Sequence, residues 1–316
     1  TKVLPPALGG YVSAGCNLCR VLMSIGETTV VTDAAVDTVQ GQYDLLFFNA
    51  TYENSSAFDI LKAHCDQVWS FEHNIPNSHN HCEIDHRYQE SKIVLVPSQY
   101  MKDQYLGNGT REFAEKLHVL PIPVDLTCFD LKRQKDLHFN LTTICAIKPI
   151  RNLTFNIDIV KCLINMGVPC RYDIYGMVPY MLDDSYLKAV KRYIKAQNLE
   201  DAVKVQGVLS SPECISSTLK RYDFYLDFAQ HETYGQAKLE ALACGLNLIM
   251  PSVGNNPTLL PQGEVLYDGT AEEIARALYA RFGEDNSPVD RRETYRMHAK
   301  VHFSDETVSE MIKELL

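Results

Sequence analysis

The sequence of 316 residues holds one tryptophan and no apolar run near the roughly 20 residues that span a bilayer, so no membrane-crossing helix is expected. Its opening, TKVLPPALGG, lacks the charged and then apolar anatomy of a secretory leader, which makes a cytoplasmic location the expectation. Without a secretory route, the five N-x-S/T sequons at Asn49, Asn54, Asn108, Asn140 and Asn152 carry no message. Positive charge is scarce too. Thirty Lys and Arg against 40 Asp and Glu give a formal net charge of −10, which argues against a partner gripped through a phosphate backbone. Lys132, Arg133 and Lys135 come nearest to a basic cluster and read as a solvated linker turn. The ten cysteines are scattered through apolar runs, as reduced buried thiols are. Cys16 and Cys19 form a C-x-x-C on a helical pattern, but no second pair follows at zinc spacing, so packing is their expected role. No repeat with a period of roughly 20 to 50 residues is present.

What remains is an ordinary globular composition, 46% apolar and 22% charged, at a length where one core splits into two. The most informative stretch runs from the strand pattern Tyr222 to Phe228 through His231 to Gly245, HETYGQAKLEALACG. A buried strand stops at a polar turn, and Ala237, Leu239, Ala241, Leu242 and Ala243 then continue at helical spacing, with Gly245 as the left-handed stop. Gly235 lets the backbone approach whatever lies above the turn. The helix it opens offers its first N–H groups, at Tyr234, Gly235 and Gln236, and a positive dipole end, which suits a phosphate. Glu232 precedes the helix and Glu240 lies inside it, so one carboxylate can meet each end of an extended ligand. Two glutamates at this spacing alone are also what a solvated helix face presents.

With Gly235, Ala241, Cys244 and Gly245 added, E-x-Y-G-x-x-x-x-E-A-x-A-C-G resembles the Glu-x7-Glu signature of retaining GT-B glycosyltransferases of the glycogen-synthase-like, family-four type. The resemblance implies an α/β fold of two Rossmann-like domains facing across a cleft, and transfer of a sugar from a UDP- or GDP-linked donor to an acceptor hydroxyl. It implies Glu232 beside the sugar and Glu240 on the ribose, with no cofactor besides the donor substrate and no metal. The opening PPALGGYVSAGCNLCRVLMSIGETTVVT is similar to the family's P-P-x-x-G-G, helix, strand, in which Gly9 and Gly10 would meet the donor phosphates. His73, just past the strand Gln67 to Phe71, matches a histidine placed against the donor sugar, and Gly176 ends a strand at a nucleobase-bordering turn. IVLVPSQYMKDQY is similar to the family's strand, serine cap and helix.

Lys148 and Arg151 leave the end of the strand LTTICAI three residues apart, where they can converge on one anion. The family motif usually has the two cations in the other order. The expected division is an N-terminal acceptor-side domain over 1–135, a nucleotide-sugar domain over 136–304 and a last helix, 305–316, crossing back to the first. His79, His81, Cys82, Glu83, Asp85 and His86 crowd one segment without a zinc spacing, and read as an acceptor-side surface loop. Two other functions stay open: an idle sugar-nucleotide-binding subunit of another transferase, and a metal-dependent enzyme centred on the His79–His86 segment. The acceptor is a glycan or another hydroxyl-bearing molecule. The acidic charge argues against nucleic acid and leaves a modified base open as acceptor.

Overall fold

The computed structural model describes residues 10–31, 33–50, 55–73, 81–107, 111–131, 139–180, 182–282 and 291–316. They form two compact units, Gly10–Pro123 with Asp305–Leu316, and Val124–Ser304.

The first unit begins with α1 (Gly10–Ile25), whose Ala14, Leu18 and Val21 are buried at helical spacing. Then come β1 (Tyr43–Ala50), α2 (Ser55–Lys62), β2 (Cys65–Glu72), α3 (His81–Glu90), β3 (Ile93–Val96), α4 (Gln99–Gly107) and β4 (Leu117–Val119). The four strands are parallel, in the order β1-β2-β3-β4. All four residues of β3 are buried, as a strand covered on both faces requires. Ser98 caps α4, with the Met101 N–H donating to its Oγ at 3.2 Å.

Two expectations fail here. The run TTVVT, Thr28–Thr32, expected as a strand, forms none over its described residues 28–31. Lys2–Leu4, expected as a short strand before it, lies outside the described residues, and among those residues no strand pairs with Thr28–Val31, so its β-branched propensity goes unused. The segment from His81 onward, read as loop, is helix α3. Its inward face escaped the periodicity because it carries Arg87, whose guanidinium binds both oxygens of buried Glu72 at 2.8 and 3.0 Å, beside Tyr88 stacked edge-on to Tyr105.

The second unit holds β5 (Phe139–Ile144), α5 (Leu153–Asn165), β6 (Cys170–Tyr175), α6 (Ser185–Ala196), β7 (Val203–Gly207), α7 (Pro212–Leu219), β8 (Phe224–Leu226), α8 (Gln236–Ala243), β9 (Asn247–Ile249), α9 (Asn256–Leu259), α10 (Ala271–Phe282) and α11 (Arg292–Phe303). Its five parallel strands lie in the order β7-β6-β5-β8-β9. The chain therefore winds outward in one direction from β5 and then returns to continue from β8, the doubly wound arrangement. Helix α5 shows why it packs where it does: Leu153, Ile157, Val160 and Leu163 form one fully buried stripe in the same core as Leu141, Tyr172, Ile174 and Leu226 of the sheet. Truncating one such side chain to alanine costs about 2–5 kcal/mol. A last helix, α12 (Asp305–Leu315), belongs to the first unit, where Arg20 of α1 grips Asp305 through both carboxylate oxygens at 2.5 and 2.7 Å.

Candidate functional site

In a doubly wound sheet the order reverses between the first strand and the fourth, and ligands sit outside the carboxyl ends of the strands there. In the second unit that place lies beyond β5 and β8. After β5 the chain makes a short 3-10 turn, Pro149–Arg151, and Asn152 then takes a left-handed conformation before α5. After β8 come Asp227 and the turn to Glu232. Backbone groups help join these segments: the Gln230 N–H donates to Ile150 O at 2.9 Å, and buried Asn156 of α5 accepts the Phe228 N–H at 3.1 Å.

The side chains meet in a buried cluster. Arg151 Nη1 donates to Glu232 Oε2 at 3.0 Å and stands 3.6 Å from Asp227 Oδ2. Lys238, two residues into α8, donates to the same Glu232 oxygen at 2.7 Å, to Asp227 Oδ2 at 3.0 Å and to Asn256 Oδ1 at 3.0 Å. Asp227 and Lys238 are each 1% exposed and Glu232 is 7% exposed, so these charges are sustained by one another rather than by water. Burial by itself would raise the Glu232 carboxyl, but Lys238 and then Arg151 outweigh it and hold the group well below the usual carboxylate range. Burial works against the Lys238 ammonium as well, and Asp227 and Glu232 more than restore it.

Lys148, half-buried at the start of the 3-10 turn, is the third cation. Burial and then neighbouring Arg151 push its ammonium down, while Glu232 pulls the other way. Among the described residues no carboxylate pairs with it. The cluster thus sets three cations against two carboxylates, an imbalance that an anion would relieve. Arg151 Nε adds a buried donor that has no acceptor among the described residues.

Two glycines shape the turn. Gly235, at φ +95° ahead of α8, leaves the first N–H groups of the helix without a side-chain cap. Gly254 stands at φ +57°, and a Cβ there would lie 2.0 Å from Glu232 O. The loop at Gly254 therefore presses on the Glu232 backbone, and the Asn255 N–H donates to Glu232 O at 3.1 Å while Asn255 Nδ2 donates to Tyr234 O at 3.0 Å.

Glu240 stands apart from the cluster. It is 7% exposed, accepts only from Gln236 Nε2 at 3.3 Å among the described residues, and burial pushes its carboxyl up to about 7. Gln236 Oε1 is buried with no donor among the described residues. Gly176 ends β6, and its N–H donates to Gly207 O at 2.7 Å.

Of the expected site residues, Lys148, Arg151, Glu232, Tyr234, Gly235, Gln236, Glu240 and Gly176 all belong to the second unit, and Arg151 joins Glu232 directly. His73 belongs to the first unit, where its Nε2 meets Asn49 Oδ1 at 2.5 Å and burial pushes its imidazole down to about 4, so it is neutral at pH 7. Gly9 lies outside the described residues, and Gly10 is the first residue of α1. In the His79–His86 segment, residues 79 and 80 and the side chains of residues 81–85 are outside the described set, and His86 bonds Asp59 at 2.9 Å. Among the described residues no group of three or more His, Cys, Asp or Glu could hold a metal ion. Lys238, Asp227 and Asn256 were missed by the sequence reading. The legible signal was a charge inside an apolar run, Asp227 within FYLDFA and Lys238 within QAKLEALA, since such residues are rarely buried unpaired.

Residues 147–298, which contain Lys148, Arg151, Asp227, Glu232, Lys238, Glu240 and Asn256, match the family model for glycosyl transferases group 1. With the two Rossmann-like parallel sheets, this defines the class: a glycosyltransferase fold of the GT-B type. Among solved structures, Anabaena HepE in complex with UDP and glucose is similar, with a TM-score of 0.71 at 17% identity over 86% of this chain and 77% of that one. The pneumococcal O-GlcNAc transferase GtfA in complex with UDP and GlcNAc gives a TM-score of 0.67 at 17% identity, covering 89% of this chain and 58% of that one. Sucrose-phosphate synthase from Thermosynechococcus elongatus gives 0.66 at 13% identity, covering 86% and 72%. No curated protein sequence matches significantly. No helix among the described residues is long and apolar enough to cross a membrane.

Proposed function

We propose that the protein is a retaining glycosyltransferase that moves a sugar from a UDP- or GDP-linked donor to an acceptor hydroxyl, without a metal or other cofactor. The observation that carries this reading is the surplus cation at the switch point: among the described residues Lys148 has no carboxylate partner, and it stands beside a helix N-terminus that glycine opens without a side-chain cap. As the glycosidic bond breaks, the sugar gains oxocarbenium character and the diphosphate leaves with growing negative charge. Lys148, Arg151 and the N–H groups at Tyr234 to Gln236 take up that charge, an electrostatic contribution of the kind that dominates many enzymic rate accelerations. Glu232 accepts from a donor-sugar hydroxyl and Glu240 from the ribose. Gly176 borders the base. His73 keeps the donor-sugar role that the resemblance implies, acting as a neutral imidazole. The departing phosphate serves as the base for the acceptor hydroxyl, again by resemblance.

Titrating the protein with UDP-, GDP-, ADP- and dTDP-sugars in a thermal-shift assay tests the donor site. A donor at 100 times its dissociation constant stabilises by about 2.7 kcal/mol. A melting temperature unmoved by every donor refutes the reading. Release of free UDP or GDP with an acceptor present separates an active transferase from an idle binding subunit.

A further inference from the structure

We propose that Lys238 is a positioning residue for the sugar end of the donor. It holds Glu232 by one carboxylate oxygen so that the other remains open to a sugar hydroxyl once Arg151 has turned to the diphosphate. The proposal rests on nucleotide-sugar binding at this site and assigns a role to a residue that contacts no ligand.

An ammonium group has three N–H donors, and Lys238 Nζ has three acceptors around it: Glu232 Oε2 at 2.7 Å, Asp227 Oδ2 at 3.0 Å and Asn256 Oδ1 at 3.0 Å. Nothing is left over for a ligand. Two of those acceptors are themselves anchored. Asp227 Oδ1 accepts the Ala229 N–H at 3.0 Å, and Asn256 Nδ2 donates to Pro251 O at 3.0 Å. Lys238 is 1% exposed, so its position is set by the protein alone.

Glu232 shows the complementary pattern. Both cations reach the same oxygen, Oε2, and among the described residues nothing donates to Oε1. Arg151 differs from Lys238 in being partly exposed, 22% for its side chain, and in holding a buried Nε–H with no acceptor among the described residues. A diphosphate offers that guanidinium more charge than half a shared carboxylate does. If Arg151 alone held Glu232, binding the diphosphate would release the carboxylate. Lys238 prevents this, because its bond to Oε2 is independent of the ligand, and it keeps Glu232 ionised with Oε1 available.

Binding of nucleoside diphosphate and of its sugar conjugate, measured side by side by calorimetry, separates this role from a structural one. The probes are UDP with UDP-glucose and GDP with GDP-mannose, and the variants are Lys238→Met, Glu232→Gln and the two combined. Lys238→Met should lower affinity for the preferred sugar nucleotide about tenfold or more, the scale of one charge-assisted hydrogen bond, and should leave affinity for the free diphosphate within about threefold. The combined variant removes one charge of each sign, which restores the balance around Asp227 and keeps the site testable where Lys238→Met does not fold. It should bind sugar nucleotide no more weakly than Glu232→Gln does alone. Equal losses for diphosphate and sugar conjugate in folded Lys238→Met, or independent losses that multiply in the combined variant, would overturn the proposal. Wild-type protein that binds none of the four probes overturns the donor-site reading beneath it, whereas wild-type binding with an unselective Lys238→Met overturns only the role of Lys238.

Discussion

Replacing Glu240 by glutamine separates the cost of this carboxylate to the fold from its use to a ligand. Glu240 is buried, its one bond among the described residues is a 3.3 Å contact from Gln236, and its carboxyl titrates near 7 instead of the ordinary 4.5. A folded-state pKa above the unfolded one means that the folded protein holds its proton longer, so ionising the group weakens the fold. The penalty is absent below pH 4.5, grows between 4.5 and 7, and is constant above 7. Its plateau, from 1.36 kcal/mol per unit, is about 3 kcal/mol. Glutamine keeps the shape and carries no charge, so Glu240→Gln should be more stable than wild type by about that amount at pH 8, or about 6–12 °C in Tm for a unit of this size. At pH 4 the two should melt together. Ligand binding should move the other way, because a neutral amide is a poorer acceptor for ribose hydroxyls than a carboxylate. Affinity of wild type for UDP or GDP should rise as pH increases through 7, and the variant should lose that rise. Differential scanning calorimetry at pH 4, 6 and 8 decides the matter. A Tm difference that does not change with pH would refute the claim that burial of this one carboxyl sets the cost.

Replacing Lys148 and Arg151 together by alanine should abolish transfer while circular dichroism reports an intact fold, and full activity in that variant would remove both cations from the mechanism. Gly254→Ala places a Cβ about where Glu232 O now sits, 2.0 Å away, and demands a left-handed alanine as well. It should cost sugar-nucleotide affinity and lower Tm by several degrees, and an unchanged calorimetric titration would show that the loop at Gly254 does not hold Glu232. Asn156→Leu leaves the buried Phe228 N–H without its 3.1 Å acceptor and should destabilise by about 1–3 kcal/mol in a urea melt. Among the thiols, Cys214 is exposed and its pKa is lowered by bonds from Ser211 and Ser210, whereas burial pushes Cys145 up to about 12. Iodoacetamide should therefore label Cys214 well before Cys145 at pH 7.5, as peptide mass mapping would read.

Much of the second unit was legible from local pattern. The strand, turn and helix around Gly235 are short-range features, set by side-chain period and by a glycine where a left-handed turn is needed. Local pattern was a poorer guide in the first unit. There Thr28–Val31 has strand composition without strand structure, and α3 buries an arginine that hides its inward face. The motif Glu-x7-Glu also marked the turn at which Glu232 meets Arg151 and Lys238. What it left open is how the charges are shared, because that depends on which side chains the sheet order brings to one point. The reversal between β5 and β8 sets Arg151 from one segment against Asp227 and Glu232 from another, 76 and 81 positions later, and drives Lys238 in between. A lysine in an apolar run is ambiguous until its acceptors are known. Burial then makes each missing partner costly, so the three acceptors found around Lys238 belong to the tertiary fold alone, while the helix that carries it was written in the sequence.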